Sequence, residues 1–272
     1  MSWKHARRLC QTLLILLVAQ PAVFADSHLD ANWFYMVKSR PSEPAREAEY
    51  NTWYEDIDIP DVLAVPGFMR ARRAIAREST EVLPTDASYA AFYDIDTVDI
   101  DKSIIDLYVA ARKMSQLGRL TNVLKVVEAN YYQLLSVGER RGQPETTDGI
   151  TYVFTQKILC CDDPSARSEF LHWYGAVLEP ALIESFGVKR SQLYELYRIM
   201  EVVALSPEEI PHFLMVLEAP SGSATELVAA FETLIADLDG AGNYTGGDRI
   251  VYEVISEVYS QPLTHTAKSR LQ

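Results

Sequence analysis

Asp58 stands in the run YEDIDIP, just behind the aromatic pair Trp53-Tyr54. A carboxylate held in an aromatic pocket has its pKa raised by desolvation and becomes a usable general acid or base. The plainer reading is a solvated acid near a helix end. His172 precedes a second aromatic pair, Trp173-Tyr174. An imidazole there could also move protons, although on a helix it lies about 100° from Trp173, which favours the surface. His212 opens a stretch after Pro211 and reads as a ligand contact or as a satisfied strand histidine. Trp53, Tyr54, Trp173 and Tyr174 could line an apolar ligand cavity, with the tyrosine hydroxyls as orienting donors. At helical spacing they also read as simple core. Arg70 and Arg190 recur at matching places and could clamp a carboxylate or carbonyl, or pair with surface acids.

Those residues fall in two stretches that align without a gap at an offset of 120. Glu49, Trp53, Tyr54, Pro60, Gly67 and Arg70 meet Glu169, Trp173, Tyr174, Pro180, Gly187 and Arg190, and upstream Pro44 meets Pro164. The elements around them repeat as well. Trp33 to Val37 is an aromatic, β-prone run. Pro44 then opens a helix whose face is Tyr50, Trp53, Tyr54 and Ile57. Pro66-Gly67 marks a turn, and Phe68 to Ile75 and Tyr89 to Ile95 read as strands. Ile100, Ile104, Leu107, Tyr108 and Ala111 form a second helical stripe, and Val123 to Leu135 a fourth strand. The second half repeats the order: strand Ile150 to Ile158 and a helix from Asp163-Pro164 with Phe170, Trp173, Tyr174 and Val177. Strands Gln192 to Val203 and His212 to Leu217 follow. A helix then opens on a capping box, Ser223 with Glu226, and carries Leu227, Ala230, Phe231, Leu234 and Leu238. The last strand spans Ile250 to Tyr259. Each half is thus βαββαβ, the ferredoxin-like plan, whose sheet leaves one face bare. Two such units in one chain can cover each other's bare faces by pairing into a barrel.

The predicted organisation is a signal peptide over 1–25, a ferredoxin-like repeat over 26–137, a linker over 138–149, a second repeat over 150–261 and a loose tail over 262–272. Lys4, Arg7 and Arg8 precede an apolar run from Leu9 to Phe24, with small residues before Asp26, which is the pattern of a cleaved export signal. Its loss would take the formal charge from -13 to -16. So acidic a chain disfavours nucleic acid and anionic lipid. The expected location is periplasmic or secreted, with no membrane attachment after cleavage. Cys160 and Cys161 are adjacent, and a bond between them would close a tiny ring outside ordinary disulfide geometry, so no disulfide is expected. No metal site is expected from two neighbouring thiols. Phosphate-loop, nucleophile-elbow and zincin patterns are absent from the sequence. The glycine-rich Gly240 to Gly247 lies between a helix and a strand, the wrong order for a phosphate cradle.

Trp53, Tyr54, Pro60, Asp61, Pro66, Gly67, Phe68 and Arg70 resemble the first-helix signature of EthD-like proteins of the dimeric α/β-barrel superfamily. The resemblance implies an α+β fold of two ferredoxin-like units closing an intramolecular barrel. It also implies cofactor-free conversion of a small hydrophobic organic molecule, with lyases, isomerases and monooxygenases in the wider superfamily. Where such relatives often carry histidine, this chain has Asp58 and Leu178. The expectation is therefore an enzyme with Asp58 or His172 as acid/base and Tyr54 or Tyr174 as orienting donor. The alternatives are a non-catalytic module binding the same class of compound, or a partner-binding protein whose repeat merely closes its own sheet. A further alternative comes from tandem ferredoxin-like haem proteins of the chlorite dismutase and dye-decolorising peroxidase groups: a haem held by His172 in the second unit. A homodimer is a possible higher assembly.

Overall fold

A computed structural model describes residues 31–79, 89–140, 152–161, 163–185, 188–202, 210–219, 224–238 and 246–260. The expected signal peptide, most of the expected linker, Gly187, the expected cap Ser223 and the expected tail lie outside the described residues, as do Gly240 to Thr245 of the glycine-rich stretch.

Strands β1 (Trp33–Pro41), β2 (Phe68–Ser79), β3 (Tyr89–Ile95) and β4 (Leu124–Glu139) form one half, and β5 (Tyr152–Ile158), β6 (Arg190–Val202), β7 (Phe213–Ala219) and β8 (Gly246–Tyr259) the other. They join edge to edge in a closed barrel, β1-β3-β2-β8-β5-β7-β6-β4. Every pairing is antiparallel. Closure removes all sheet edges, and the seams are the long strands, β2 against β8 and β4 against β6. The expected barrel is therefore present. The long strands outrun their expected ends, and β4 continues to Glu139, into the stretch read as linker.

Inward-facing side chains fill the barrel: Phe34, Met36, Phe92, Tyr132, Tyr194 and Tyr252 with smaller aliphatics. Buried ion pairs sit within it. Glu128 takes Lys38 and Lys157, each at 3.0 Å, which holds its carboxyl below the usual range despite burial. Elsewhere Arg72 meets Glu218, and Arg70 meets Asp94.

Helices cover the outer face. α1 (Glu47–Trp53) runs through a π turn (Tyr54–Asp58) into α2 (Ile59–Leu63), and α3 (Ile100–Gln116) lies beside it. In the second half α4 (Pro164–Trp173) runs through a π turn (Tyr174–Leu178) into α5 (Glu179–Ser185), beside α6 (Ala224–Asp237). Pro60 and Pro180 explain both π turns. A helical proline cannot donate and its ring crowds the carbonyl four residues back. Widening the preceding turn relieves this: Ile59 N–H bonds to the Tyr54 carbonyl and Glu179 N–H to that of Tyr174, both five residues back.

Two local expectations are corrected. Cys160 and Cys161 are bonded to each other, with Cα atoms 3.7 Å apart. Cys161 has φ 83°, in the left-handed region that non-glycine residues seldom adopt. Tyr108 and Ala230 are exposed rather than on the packed stripes, because α3 and α6 present Ile100, Ser103 and Ile104, and Ala224, Leu227 and Phe231, to the sheet. Glu55, exposed on the π turn, reaches the buried Arg73 at 3.3 Å.

Candidate functional site

The first half encloses open space between helices and sheet. One cavity of about 160 Å³ is lined by Tyr35, Tyr54, Asp58, Tyr93, Leu107 and Ala111, among others. A second of about 190 Å³ shares Tyr35, Leu107, Ala111 and Val126 with it and extends to Tyr131 and Met200. The space exists because α3 turns small side chains, Ala110 and Ala111, toward the sheet beside Leu107.

Asp58 is the one carboxylate that the π turn aims at Tyr93, whose hydroxyl donates to Oδ2 at 3.0 Å. Burial pushes the Asp58 carboxyl up to about 6. The Tyr93 hydrogen bond pulls it down, neighbouring Asp61 pushes it up and Arg73 pulls it down. The hydroxyls of Tyr54 and Tyr93 are pushed well above their ordinary range, first by burial and next by the Asp58 charge, so both stay protonated donors. Arg73 lies beneath this group, 1% exposed. Its guanidinium is caged by the rings of Tyr54 at 4.7 Å, Tyr89 at 5.2 Å and Tyr50 at 5.3 Å. Asn51 Oδ1 accepts from it at 2.7 Å. The walls are aromatic: Tyr35 stacks on Tyr131 at 4.1 Å and on Tyr93 at 5.8 Å.

This constellation sets a carboxyl that changes charge near pH 6 and two protonated phenols on the wall of an apolar cavity, with a fixed cation, Arg73, buried behind them. It can take a proton from a weakly acidic C–H or O–H and hold the resulting anion in a positive local field.

Of the residues singled out from sequence, Asp58 and Tyr54 line this cavity. Trp53 is buried beside it, donating Nε1–H to the Arg119 carbonyl at 2.8 Å. Trp173 and Tyr174 sit in the second half's core, where the Tyr174 hydroxyl pairs with Ser191 Oγ at 2.9 Å. His172 is exposed on α4 and is not brought to Asp58. His212 is half-buried before β7, its backbone N–H bonded to the Ile158 carbonyl at 2.9 Å. Arg70 and Arg190 do not line the described cavities. Arg70 meets Asp94 and Glu257, and Arg190 meets Glu139 at 3.4 Å. Sequence reasoning missed Tyr93 and Arg73. Their signal was faint: a tyrosine two residues before the end of a strand, and an arginine at the alternate position between Ala71 and Ile75.

A haem on His172 does not fit. The helix–sheet interface behind it is filled by Leu178, Leu193, Leu217 and Phe231, all buried.

The chain matches no protein-family model and no curated protein. Solved structures do resemble it. An anthrone oxidase-like protein aligns at TM-score 0.50 and 12% identity, covering 85% of this chain and 94% of that one. A candidate monooxygenase from Fusobacterium nucleatum subsp. nucleatum aligns at TM-score 0.50 and 14% identity, covering 86% and 97%. A chlorite dismutase from Candidatus Nitrospira defluvii also aligns, at TM-score 0.46 and 11% identity over 82% and 91%. Identities this low speak to fold alone, and the fold is that of the dimeric α/β-barrel proteins.

Proposed function

We propose that the first half is an enzyme site in which Asp58 removes a proton from a small hydrophobic organic compound without a cofactor. The observation that carries this is the Asp58 carboxyl, raised to about 6 and held by Tyr93 on the wall of an apolar cavity. A base poised near the working pH combines a populated carboxylate with adequate proton affinity. The carboxylate accepts the substrate proton and becomes neutral. The substrate becomes an enolate or phenolate facing the protonated tyrosines, with Arg73 behind them. That step is common to enolising isomerisation and to cofactor-free oxygenation, and the kinship with EthD-like proteins expected from residues 53–70 agrees with either.

Two further parts of this reading have their own support. The halves are a duplicated ferredoxin-like unit, supported by the common element order and by π turns at the same offset of 120. The chain is exported, supported by its basic and apolar first 25 residues.

The test is deuterium uptake from heavy water by a panel of carbon acids. It begins with anthrone, a flat ketone with an acidic methylene named by the anthrone oxidase-like neighbour. At least one compound should exchange faster with protein than in buffer, and Asp58→Asn should lose that acceleration. No acceleration across the panel, or full acceleration by Asp58→Asn, overturns the reading.

A further inference from the structure

Beside the inner cavity lies a more open groove of about 330 Å³ between α2 and α3. Asp61, Ala110 and Met114 line both spaces, so the groove continues the cavity outward. Its floor is apolar, with Val65, Pro66 and Val109. Four charged side chains ring it: Asp61, Asp106, Lys113 and Arg119. Both acids are already engaged, Asp61 by Arg119 at 3.0 Å and Asp106 by Lys102. Lys113 is exposed and meets no carboxylate among the described residues. Arg119 is half-buried, and its backbone is tied by its own carbonyl to the Trp53 indole N–H. Among the described residues the groove's unspent charge is therefore that of Lys113, and Arg119 has further guanidinium N–H groups beyond the one at Asp61; both lie at the outer end of a path that is apolar and aromatic at its inner end.

We infer that the compound taken by the Asp58 cavity is an amphipathic organic acid: a flat apolar body within, and a carboxylate held by Lys113 and Arg119 in the outer groove. This rests on the small-molecule reading of the same site. Leu107 in the inner cavity and Lys113 in the groove are six residues apart on α3, about 9 Å at the helical rise. A two-ring body with the acid at its far end spans that distance. An anchor so far from the reacting atoms would orient the ligand, since cations positioned for a carboxylate fix one end of it.

Calorimetry with two matched probes tests this: 2-naphthol, and 6-hydroxy-2-naphthoate, which adds only the carboxylate. The naphthoate should bind about tenfold tighter at low salt, the size of one good charge-assisted contact. Lys113→Gln and Arg119→Gln should each reduce that advantage and the double variant abolish it. The affinity for 2-naphthol should stay constant throughout, which also reports an intact site. Equal affinities in the unaltered protein, or an advantage that survives the double variant, overturns the inference while leaving the Asp58 site standing. Failure of both probes to bind overturns the inference and the small-molecule reading together.

Discussion

The two halves of this barrel share a plan and differ at the positions that matter. Strand register makes them comparable: Arg70 lies opposite Asp94 as Arg190 lies opposite Glu218. By that register Arg73 corresponds to Leu193, and Tyr93 to Leu217. By the π turns Asp58 corresponds to Leu178. Counted from the first residues of α3 and α6, Leu107, Ala110 and Ala111 correspond to Phe231, Leu234 and Ile235. A carboxylate, a phenol and a guanidinium around open space in one half become three buried leucines in the other, with larger side chains above them. The frame, including the prolines that widen the helix, is kept in both. A π turn aims a side chain at the sheet, and what that side chain does depends on its partners. Polar groups buried beside a cavity lower stability unless each finds a partner, so their presence in one half alone is the contrast on which the proposed function rests.

The largest effect should come from giving Asp58 the identity of its counterpart. Asp58→Leu should reduce the deuterium-exchange rate of a responsive carbon acid by about 10²–10⁴-fold, the usual contribution of a positioned base. Melting temperature should not fall, which separates lost chemistry from lost structure. The reverse transplant follows. Leu178→Asp places a carboxylate among leucines with no phenol to donate to it, and should destabilise by about 3 kcal/mol or more. Adding Leu217→Tyr should return about 1 kcal/mol, a typical hydrogen bond. No recovery in urea denaturation would show that the register correspondence is wrong. Ala110→Leu with Ala111→Ile copies the second half's bulk into the cavity. It should weaken 2-naphthol binding a hundredfold or more, about 2.7 kcal/mol by the affinity scale, with melting unchanged or higher.

The comparison also explains what could be read in advance. The frame was legible because it is written in spacings: paired aromatics, prolines and glycines at an offset of 120, and apolar runs that mark each strand. β3 spans the expected Tyr89 to Ile95 because apolar residues bounded by polar stretches leave little freedom in its ends. Asp58 was legible as a carboxylate just behind the aromatic pair Trp53-Tyr54. Tyr93 and Arg73 were not legible, because their roles depend on partners from other elements: Asp58 for one, and Tyr50, Tyr54 and Tyr89 for the other. The cavity was hidden for a related reason. Ala110 and Ala111 are ordinary helix formers, and nothing local says that the space opposite them stays unfilled. The bond between Cys160 and Cys161 comes with a left-handed backbone at Cys161 that spacing does not encode.

The smallest expected effect is on stability, and it tests the same contrast without a ligand. Asp58 holds its proton up to about pH 6 in the folded chain against 3.8 ordinarily. A carboxyl whose folded pKa is raised adds stability that is fully present below the unfolded value and is lost as pH rises through the folded one. The folded protein should therefore give up stability between about pH 4 and pH 6 on account of this group. Asp58→Asn cannot ionise, so its stability relative to the unaltered chain should rise across that window and level off above it. Two pKa units correspond to about 2.7 kcal/mol, and the partial exposure of Asp58 brings the expected difference to about 1–2 kcal/mol. Urea midpoints at pH 4 and pH 8 for both proteins measure it. The same pair of measurements on Leu178→Asn should show no such window, because the second half has no carboxylate at that position to ionise. A flat difference for Asp58→Asn would mean that its carboxyl is solvated like any surface acid, and the two halves would then differ in packing but not in chemistry.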